Sequence, residues 1–510
     1  MTARDRLTAV RKLAWAILLA LAVALMGAAV FIWVLGAIGI ELDERAFYLS
    51  SSLELLAALG LVILTFFVGS KLSRGGVWIA LAIFLAVVIY LLSYLYPTKP
   101  DSVELGELTA AVENNRKVLL IGVDAMTWNR VLPLVRRGML PNIERLMDEG
   151  AYGVLHSYKT YRADVEQWGF WSPVVWTTIA TGVYPERHGI SDFQLPRVVD
   201  KVPRTKRPPR TKKLGVMANS QHRRAPAFWN IYSNYGKSVG VVGWWASWPA
   251  EDVQGFLVSS NIGLRGRRRS GSSDLNDALW FTKRERLTYP EGYVNTILNE
   301  IGLPEDSEAF VHQNIFPLEK HPFLKGRDKD QFYGVIWQDR LYLRITKDLL
   351  RNEDLSIYAT YFEGVDGAGH KFWQYMAYPD RKVPVFLPEG FDLHRRIVDR
   401  YYAVVDSYIG ELLDAAGDEV TVVICSDHGF RTTPNGKAPA DHSGYGVLII
   451  KGPGVREGGN QLSLHGAAYD FAHGGVGVED VLPTLLYMQG LPISEELDGT
   501  VQYRFFERAY

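Results

Sequence analysis

The stretch KVLLIGVD, residues 117–124, sets the fold class. It is a short, continuous apolar run, the pattern of a strand with both faces of a parallel sheet covered. It ends on an acid, Asp124. Four more stretches read as strands: SVGVVGWW (238–245), LSIYATYFEG (355–364), EVTVVICS (419–426) and YGVLIIKG (445–452). Helical patterns separate several of them. PNIERLMDEG (141–150) has Pro141 near its start and Gly150 past its end, and a longer amphipathic run covers 394–416. Strands alternating with helices predict an α/β domain, its largely parallel sheet flanked by helices on both faces.

Outward from this core, the pattern loosens between 191 and about 351, which reads as an insertion or cap. It contains two basic runs, RTKRPPRTKK (204–213) and RGRRRSGSS (265–273). Such runs are usually solvated loops. Near a membrane they also suit anionic headgroups or a phosphate-bearing substrate.

The first 98 residues read as a membrane unit. Leu13 to Ile40 is an uncharged run long enough to span a bilayer with some tilt. Runs at 46–70 and 77–96 follow, which argues against a cleaved signal peptide. Glu54 interrupts the second run and is expected to face neighbouring helices or the outer interface. The N-terminal segment and KLSRGG (71–76) are basic, whereas ELDER (41–45) is acidic. Basic segments stay cytoplasmic, so the N-terminus is expected inside and everything after Tyr96 outside. Residues 99–116 form a polar linker, and 117–510 the catalytic domain. A chain of 510 residues suits more than one unit. Its net charge of −1 gives no reason to expect a nucleic-acid partner, and its single cysteine, Cys425, precludes an intrachain disulfide.

Ligands of open α/β sheets bind at the carboxyl ends of the strands. There the sequence places Asp124, then Asp366 with His370 four residues on, then Asp427 and His428, and finally His442 ahead of the last strand. Mixed Asp and His donors suit Zn²⁺ or Mn²⁺. Six are too many for one catalytic ion with an open position, and suit two ions ~4 Å apart, the arrangement used for displacement at phosphorus. A hydroxyl belongs to the same picture. SPVVWTTIATGVYPERHGI, residues 172–190, starts a helix with Ser172-Pro173. Ser172 reads either as a plain N-cap with Pro173 the first helical residue, or as a nucleophile in the positive field of a helix N-terminus.

These motifs together resemble the alkaline phosphatase superfamily, in particular its type I phosphodiesterase/nucleotide pyrophosphatase branch. The resemblance covers about 117–190 and 355 to the end, including DVLPTLLYMQGLPISEELDG (480–499), and WWASWPAE (244–251) is similar too. It implies one ion held by Asp366, His370 and His442, and another held by Asp124, Asp427 and His428, with Ser172 bridging towards the second. The family nucleophile stands nine residues before the Thr of a Thr-Gly pair; Thr181-Gly182 puts Ser172 there, and not Thr177 or Thr178. Two features depart from relatives. The nucleotide pyrophosphatases have Asn three residues after the nucleophile, where this chain has Val175, which argues against nucleotide diester cleavage and leaves Lys159 or Arg162 to serve if a donor is needed. SPVVW also lacks the x-Pro-x-Arg that sulfatases need after their modified residue. His465 and His473 are alternatives to His442 as the last ligand.

The apolar N-terminal runs and the resemblance together imply a membrane-anchored, two-metal phosphohydrolase acting on mono- or diesters through a phosphoseryl intermediate, its active site outside the cytoplasm. A phosphotransferase acting on lipid or glycan head groups is the competing enzyme reading. A catalytically silent membrane receptor or scaffold is the third, and the complete ligand set argues against it.

Overall fold

The computed structural model describes residues 116–162, 167–196, 215–262, 286–305, 307–315, 327–376, 396–431, 441–460 and 475–507. The three predicted spans, the linker up to residue 115, both basic runs, His465 and His473 lie outside the described residues. Among the described residues, no helix is long and apolar enough to cross a membrane.

The apolar runs form the strands they suggest. In chain order the main elements are β1 (Lys117–Val123), α1 (Pro141–Asp148), β2 (Ala151–His156), α2 (Ser172–Thr181), β3 (Val239–Val242), β4 (Gly255–Val258), β5 (Thr288–Tyr289), α3 (Arg327–Asn352), β6 (Ile357–Phe362), α4 (Gly364–Met376), α5 (Ile397–Ala416), β7 (Val420–Cys425), β8 (Gly429–Arg431), β9 (Asp441–Ser443), β10 (Tyr445–Lys451) and α6 (Val481–Met488). The large sheet runs β2-β10-β7-β1-β6-β3-β4-β5, with residues 459–460 and 476–477 pairing to β2. Its centre is parallel: β1 pairs with both β6 and β7, β6 with β3, and β3 with β4. β10 runs antiparallel to β7 and β2, and β5 antiparallel to β4. β8 and β9 form a separate short ribbon that pairs Phe430 with His442.

Both faces are covered, as continuous apolar strands require. Alternation along β6 shows which helices lie where. Tyr361 meets Trp176 of α2 edge-on, with ring centroids 5.2 Å apart. Tyr358 is an odd number of residues away and so points to the opposite face. There it adjoins Gly240, whose added Cβ would also press on Leu349 of α3 at 3.2 Å. Gly122 has the complementary role on the α2 face, where a Cβ would stand 2.7 Å from the Trp176 ring. Only glycine at this strand position lets α2 approach so closely.

The stretch 191–351, read from sequence as an insertion or cap, contributes to these layers. It supplies β3, β4 and β5 to the sheet and α3 to one of its covers. Its VGVV and GFLV strands are only four residues each, which is why the pattern looks loose.

All ten residues of α2 are buried, as expected of a helix that carries no charge and no strongly polar face. It ends on Gly182 at φ 65°, a left-handed cap that favours glycine. Its start corrects the sequence reading by one residue. Trp171 is the N-cap, Ser172 the first helical residue and Pro173 the second. Proline is tolerated at either of the first positions because neither amide has an intrahelical partner.

Candidate metal centre

The six strand-end donors converge. Asp124 follows β1, and Asp427 and His428 follow β7; all three are buried. His428 Nε2 lies 3.5 Å from Asp124 Oδ1 and 3.3 Å from Asp427 Oδ2. Asp366 and His370 stand one turn apart on α4, so they share a face, and His442 reaches them from β9. His370 Nε2 is 3.3 Å from Asp366 Oδ1 and 3.1 Å from His442 Nε2. His442 Nε2 is 3.4 Å from the same Asp366 oxygen. The two trios adjoin: the His428 and His442 rings stack with centroids 3.9 Å apart. Within Asp124, Asp427 and His428, and within Asp366, His428 and His442, donor atoms lie within 4.8 Å of one another.

These residues fit divalent ions on three counts. First, Asp124 Oδ1, Asp366 Oδ1, Asp427 Oδ2 and His428 Nε2 are buried without a hydrogen-bond partner. Leaving one such atom unpaired is costly, and four converging ones call for a shared partner. Second, the separations of 3.1–3.5 Å match the edges, about 3.3 Å, of a tetrahedron with zinc-length bonds. Third, two of the three imidazoles are held in a ligating tautomer. His442 Nδ1 donates to Phe170 O at 3.0 Å and His428 Nδ1 to Gly429 O at 3.4 Å, which turns each Nε2 inward as an acceptor.

The electrostatics point the same way. Burial, then the nearby Asp366 charge, pushes Asp124 up to about 7 despite a hydrogen bond from Tyr361. Burial and the Asp124 charge hold Asp427 well above the usual carboxylate range. Burial, reinforced by His442, keeps His428 neutral. That trio combines two buried carboxylates with a neutral ring, an arrangement that favours a cation. The other trio is balanced differently. Burial would raise Asp366, but His370 and His442 outweigh it and hold it well below its ordinary value. The Asp366 charge in turn lifts His370 to about 9.

Sequence reasoning missed the residues that aim Asp124. Trp176 Nε1 donates to Asp124 Oδ2 at 3.2 Å, Tyr361 Oη donates to the same oxygen at 2.5 Å, and Trp245 Nε1 donates to Tyr361 Oη at 2.9 Å. These donors engage one carboxylate oxygen and leave Oδ1 facing His428. In the sequence, such aromatic residues read simply as core.

Trp176 also locates Ser172. The two stand four residues apart, about 6 Å along one face of α2, so the helix that docks on Asp124 through Trp176 carries Ser172 at its leading end. Phe170, two residues before Ser172, is tied to His442 by the bond already given. Ser172 is 6% exposed, and its hydroxyl makes no hydrogen bond among the described residues. The neighbouring threonines are occupied. Thr177 Oγ1 donates to Pro173 O at 2.6 Å. Thr178 Oγ1 contacts His188 Nε2 at 2.9 Å and also Tyr158 Oη. His188 Nδ1 accepts from Ile190 N at 3.1 Å, so its proton sits on Nε2, facing Thr178. The histidine of YPERHGI is thus a buried brace for α2. Val175 is fully buried, Lys159 is exposed, and the side chain of Arg162 lies outside the description. Val174 N and Val175 N both donate to Trp171 O.

An α/β sheet with Asp and His donors gathered at its strand ends, beside a serine that heads a buried helix, has the arrangement of a metal-assisted hydrolase. The family model for type I phosphodiesterase/nucleotide pyrophosphatase matches residues 118–442, and the chain belongs to that family, a group of phosphoric ester hydrolases. No curated protein sequence matches the chain. Among solved structures, it resembles phosphonoacetate hydrolase from Sinorhizobium meliloti 1021 at 16% identity and a TM-score of 0.35, with 63% of this chain and 58% of that chain covered. Human ectonucleotide pyrophosphatase/phosphodiesterase 5 is similar at 12% identity and TM-score 0.39, covering 76% of this chain and 97% of that one. A putative sulfatase from Bacteroides thetaiotaomicron VPI-5482 gives 12% identity and TM-score 0.43, covering 78% and 76%. These are likenesses of fold.

Proposed function

We propose that the chain is a membrane-anchored phosphohydrolase that uses two divalent ions and forms a phosphoseryl intermediate on Ser172. Its substrate is a phosphate mono- or diester, and its catalytic domain lies outside the cytoplasm. The observation that carries this reading is the group of buried donor atoms without hydrogen-bond partners, gathered next to the helix that Ser172 begins.

Asp366, His370 and His442 would hold one ion, and Asp124, Asp427 and His428 the other, with Ser172 towards the second. Three imidazoles among the six donors and the short edges favour Zn²⁺ over Mn²⁺. When bound, the ions supply positive charge against the phosphoryl oxygens and ease deprotonation of hydroxyl and water.

Ser172 attacks phosphorus from the leading end of α2, where the helix field favours a negative oxygen. The Oγ–P bond forms as the seryl hydroxyl gives up its proton, and the P–O bond to the leaving group breaks with its electron pair on that oxygen, which takes up one proton and departs as the alcohol. Water then takes the phosphoryl group and restores the serine hydroxyl. His442 and His428 keep their Nε2 atoms inward throughout, and Trp176 and Tyr361 hold Asp124 in place. Val174 N and Val175 N are spent on Trp171 O and the Val175 side chain is apolar, so beyond the Ser172 amide itself the donors for the phosphoryl oxygens come from outside α2.

The metal-loaded protein is expected to hydrolyse 4-nitrophenyl phosphate or its bis(4-nitrophenyl) diester and to lose that turnover on chelation. No turnover of either ester with two ions bound per chain would overturn the hydrolase reading. For the anchor, reporter fusions within KLSRGG and after Tyr96 are expected to report opposite sides of the membrane. The same side for both would overturn the three-span topology and the assigned compartment.

A further inference from the structure

We propose that Asp339 is a positioning residue for the Asp366–His370 arm of the site, acting from α3 as a cap on the N-terminus of α4. This inference rests on the two-metal reading above. Asp339 lies in the stretch that the sequence presents as an insertion, and no motif singles it out.

Asp339 is fully buried. Its Oδ1 accepts from Glu363 N at 2.9 Å, and its Oδ2 from Gly364 N at 3.0 Å and Tyr401 Oη at 2.9 Å. The two amides belong to the point where β6 turns into α4. A helix start has amides with no partner of their own, and here a carboxylate from another helix satisfies them. Asp366 follows Gly364 by two residues and His370 by six, so a shift of the first turn moves both donors. Gln338, the neighbour of Asp339, adds a longer contact from Nε2 to Glu363 Oε2 at 3.4 Å.

Close packing at two glycines fixes the same helix independently. A Cβ at Gly364 would stand 2.0 Å from Tyr401 Oη, and one at Gly369 2.3 Å from the Phe430 ring. Phe430 is paired in register with His442 on the β8–β9 ribbon. Asp339 and Tyr401 therefore fix the start of α4, and Phe430 fixes its middle against the strand that carries the third donor. The cap sets where Asp366 and His370 stand relative to His442, without touching substrate or ion. An apolar residue of similar shape could fill the space but could not accept from both amides.

The test uses Asp339→Asn in the full chain, which keeps size but places an NH₂ against one of the two amide donors. In the metal-free protein, amide exchange in the first turn of α4 is expected to speed up about tenfold, with exchange in β1 and β7 unchanged. Metal affinity is then read one arm at a time. Asp427→Ala leaves only the Asp366 arm intact, and Asp366→Ala only the other. Adding Asp339→Asn should weaken Zn²⁺ binding about 10–100-fold in the first background and leave it unchanged in the second. Equal weakening in both backgrounds, or unchanged exchange in α4, would overturn the inference. If wild type binds fewer than two ions, the two-metal reading fails and the exchange measurement alone decides the role of Asp339. Should Asp339→Asn not fold, Tyr401→Phe, which removes one of the three donors, is expected to shift exchange and affinity in the same direction by a smaller factor; no shift in α4 would count against the cap.

Discussion

Ser172→Ala is expected to fold, to bind metal and to lose more than about a thousandfold in turnover. The structure separates this outcome from that of a lost helix cap. Trp171 occupies the cap, and no side-chain capping bond is present to lose. Alanine is the better helix former by up to about 0.5 kcal/mol, so stability should change little. A plain cap would give the opposite pattern, with a loss of ~1 kcal/mol in stability and nearly intact turnover. Ser172→Thr keeps a hydroxyl at the same position and should retain part of the activity. Thr177→Ala and Thr178→Ala remove hydroxyls engaged with Pro173 O and His188 Nε2. Each should cost about 1 kcal/mol in stability and leave far more turnover than Ser172→Ala. Thermal melts and steady-state rates on the same samples distinguish the two patterns.

Asp427→Ala and Asp366→Ala are each expected to abolish turnover, by losing metal from different trios. The stability changes carry extra information, because their sign depends on metal. In the metal-free chain, burial and then the Asp366 charge raise Asp124 to about 7, and burial and then the Asp124 charge raise Asp427 well above its ordinary value. A carboxyl group raised in the folded state binds protons more tightly there than in the unfolded chain. Its contribution therefore falls as pH rises from about 4, the unfolded value, through the folded one. Near neutral pH the pair is a cost, and Asp427→Ala should stabilise the metal-free protein. With metal bound, the carboxylate becomes a partner and the same variant should be less stable than wild type. Melting curves at pH 7, with and without Zn²⁺, should show the order of the two proteins reversing. The same order in both conditions would mean that Asp427 does not face an ion.

Much of this was legible in the sequence, for identifiable physical reasons. β1, β6 and β7 are buried on both faces, so their apolar runs are continuous, and the acids that follow at Asp124, Asp366 and Asp427 stand out. β2 and β4 were missed. AYGVLH alternates weakly and GFLV is only four residues long, so neither gives a strong period. The start of α2 was displaced by one residue because Ser-Pro suits either of two neighbouring positions at a helix head. The supports of the site were hidden for another reason. Trp176, Tyr361 and Trp245 are aromatic and buried, so nothing local marks their N–H and O–H groups as aimed at Asp124. Asp339 is one charged residue among many on a long amphipathic helix, and its burial depends on where α3 packs.

The most direct measurement traps the covalent step. Wild-type protein turning over a ³²P-labelled phosphate ester is quenched in acid, digested, and the labelled peptide mapped. The label is expected on Ser172. Label on Thr177 or Thr178, or no labelled peptide while turnover proceeds with a pre-steady-state burst of released alcohol, would contradict the assignment of the nucleophile.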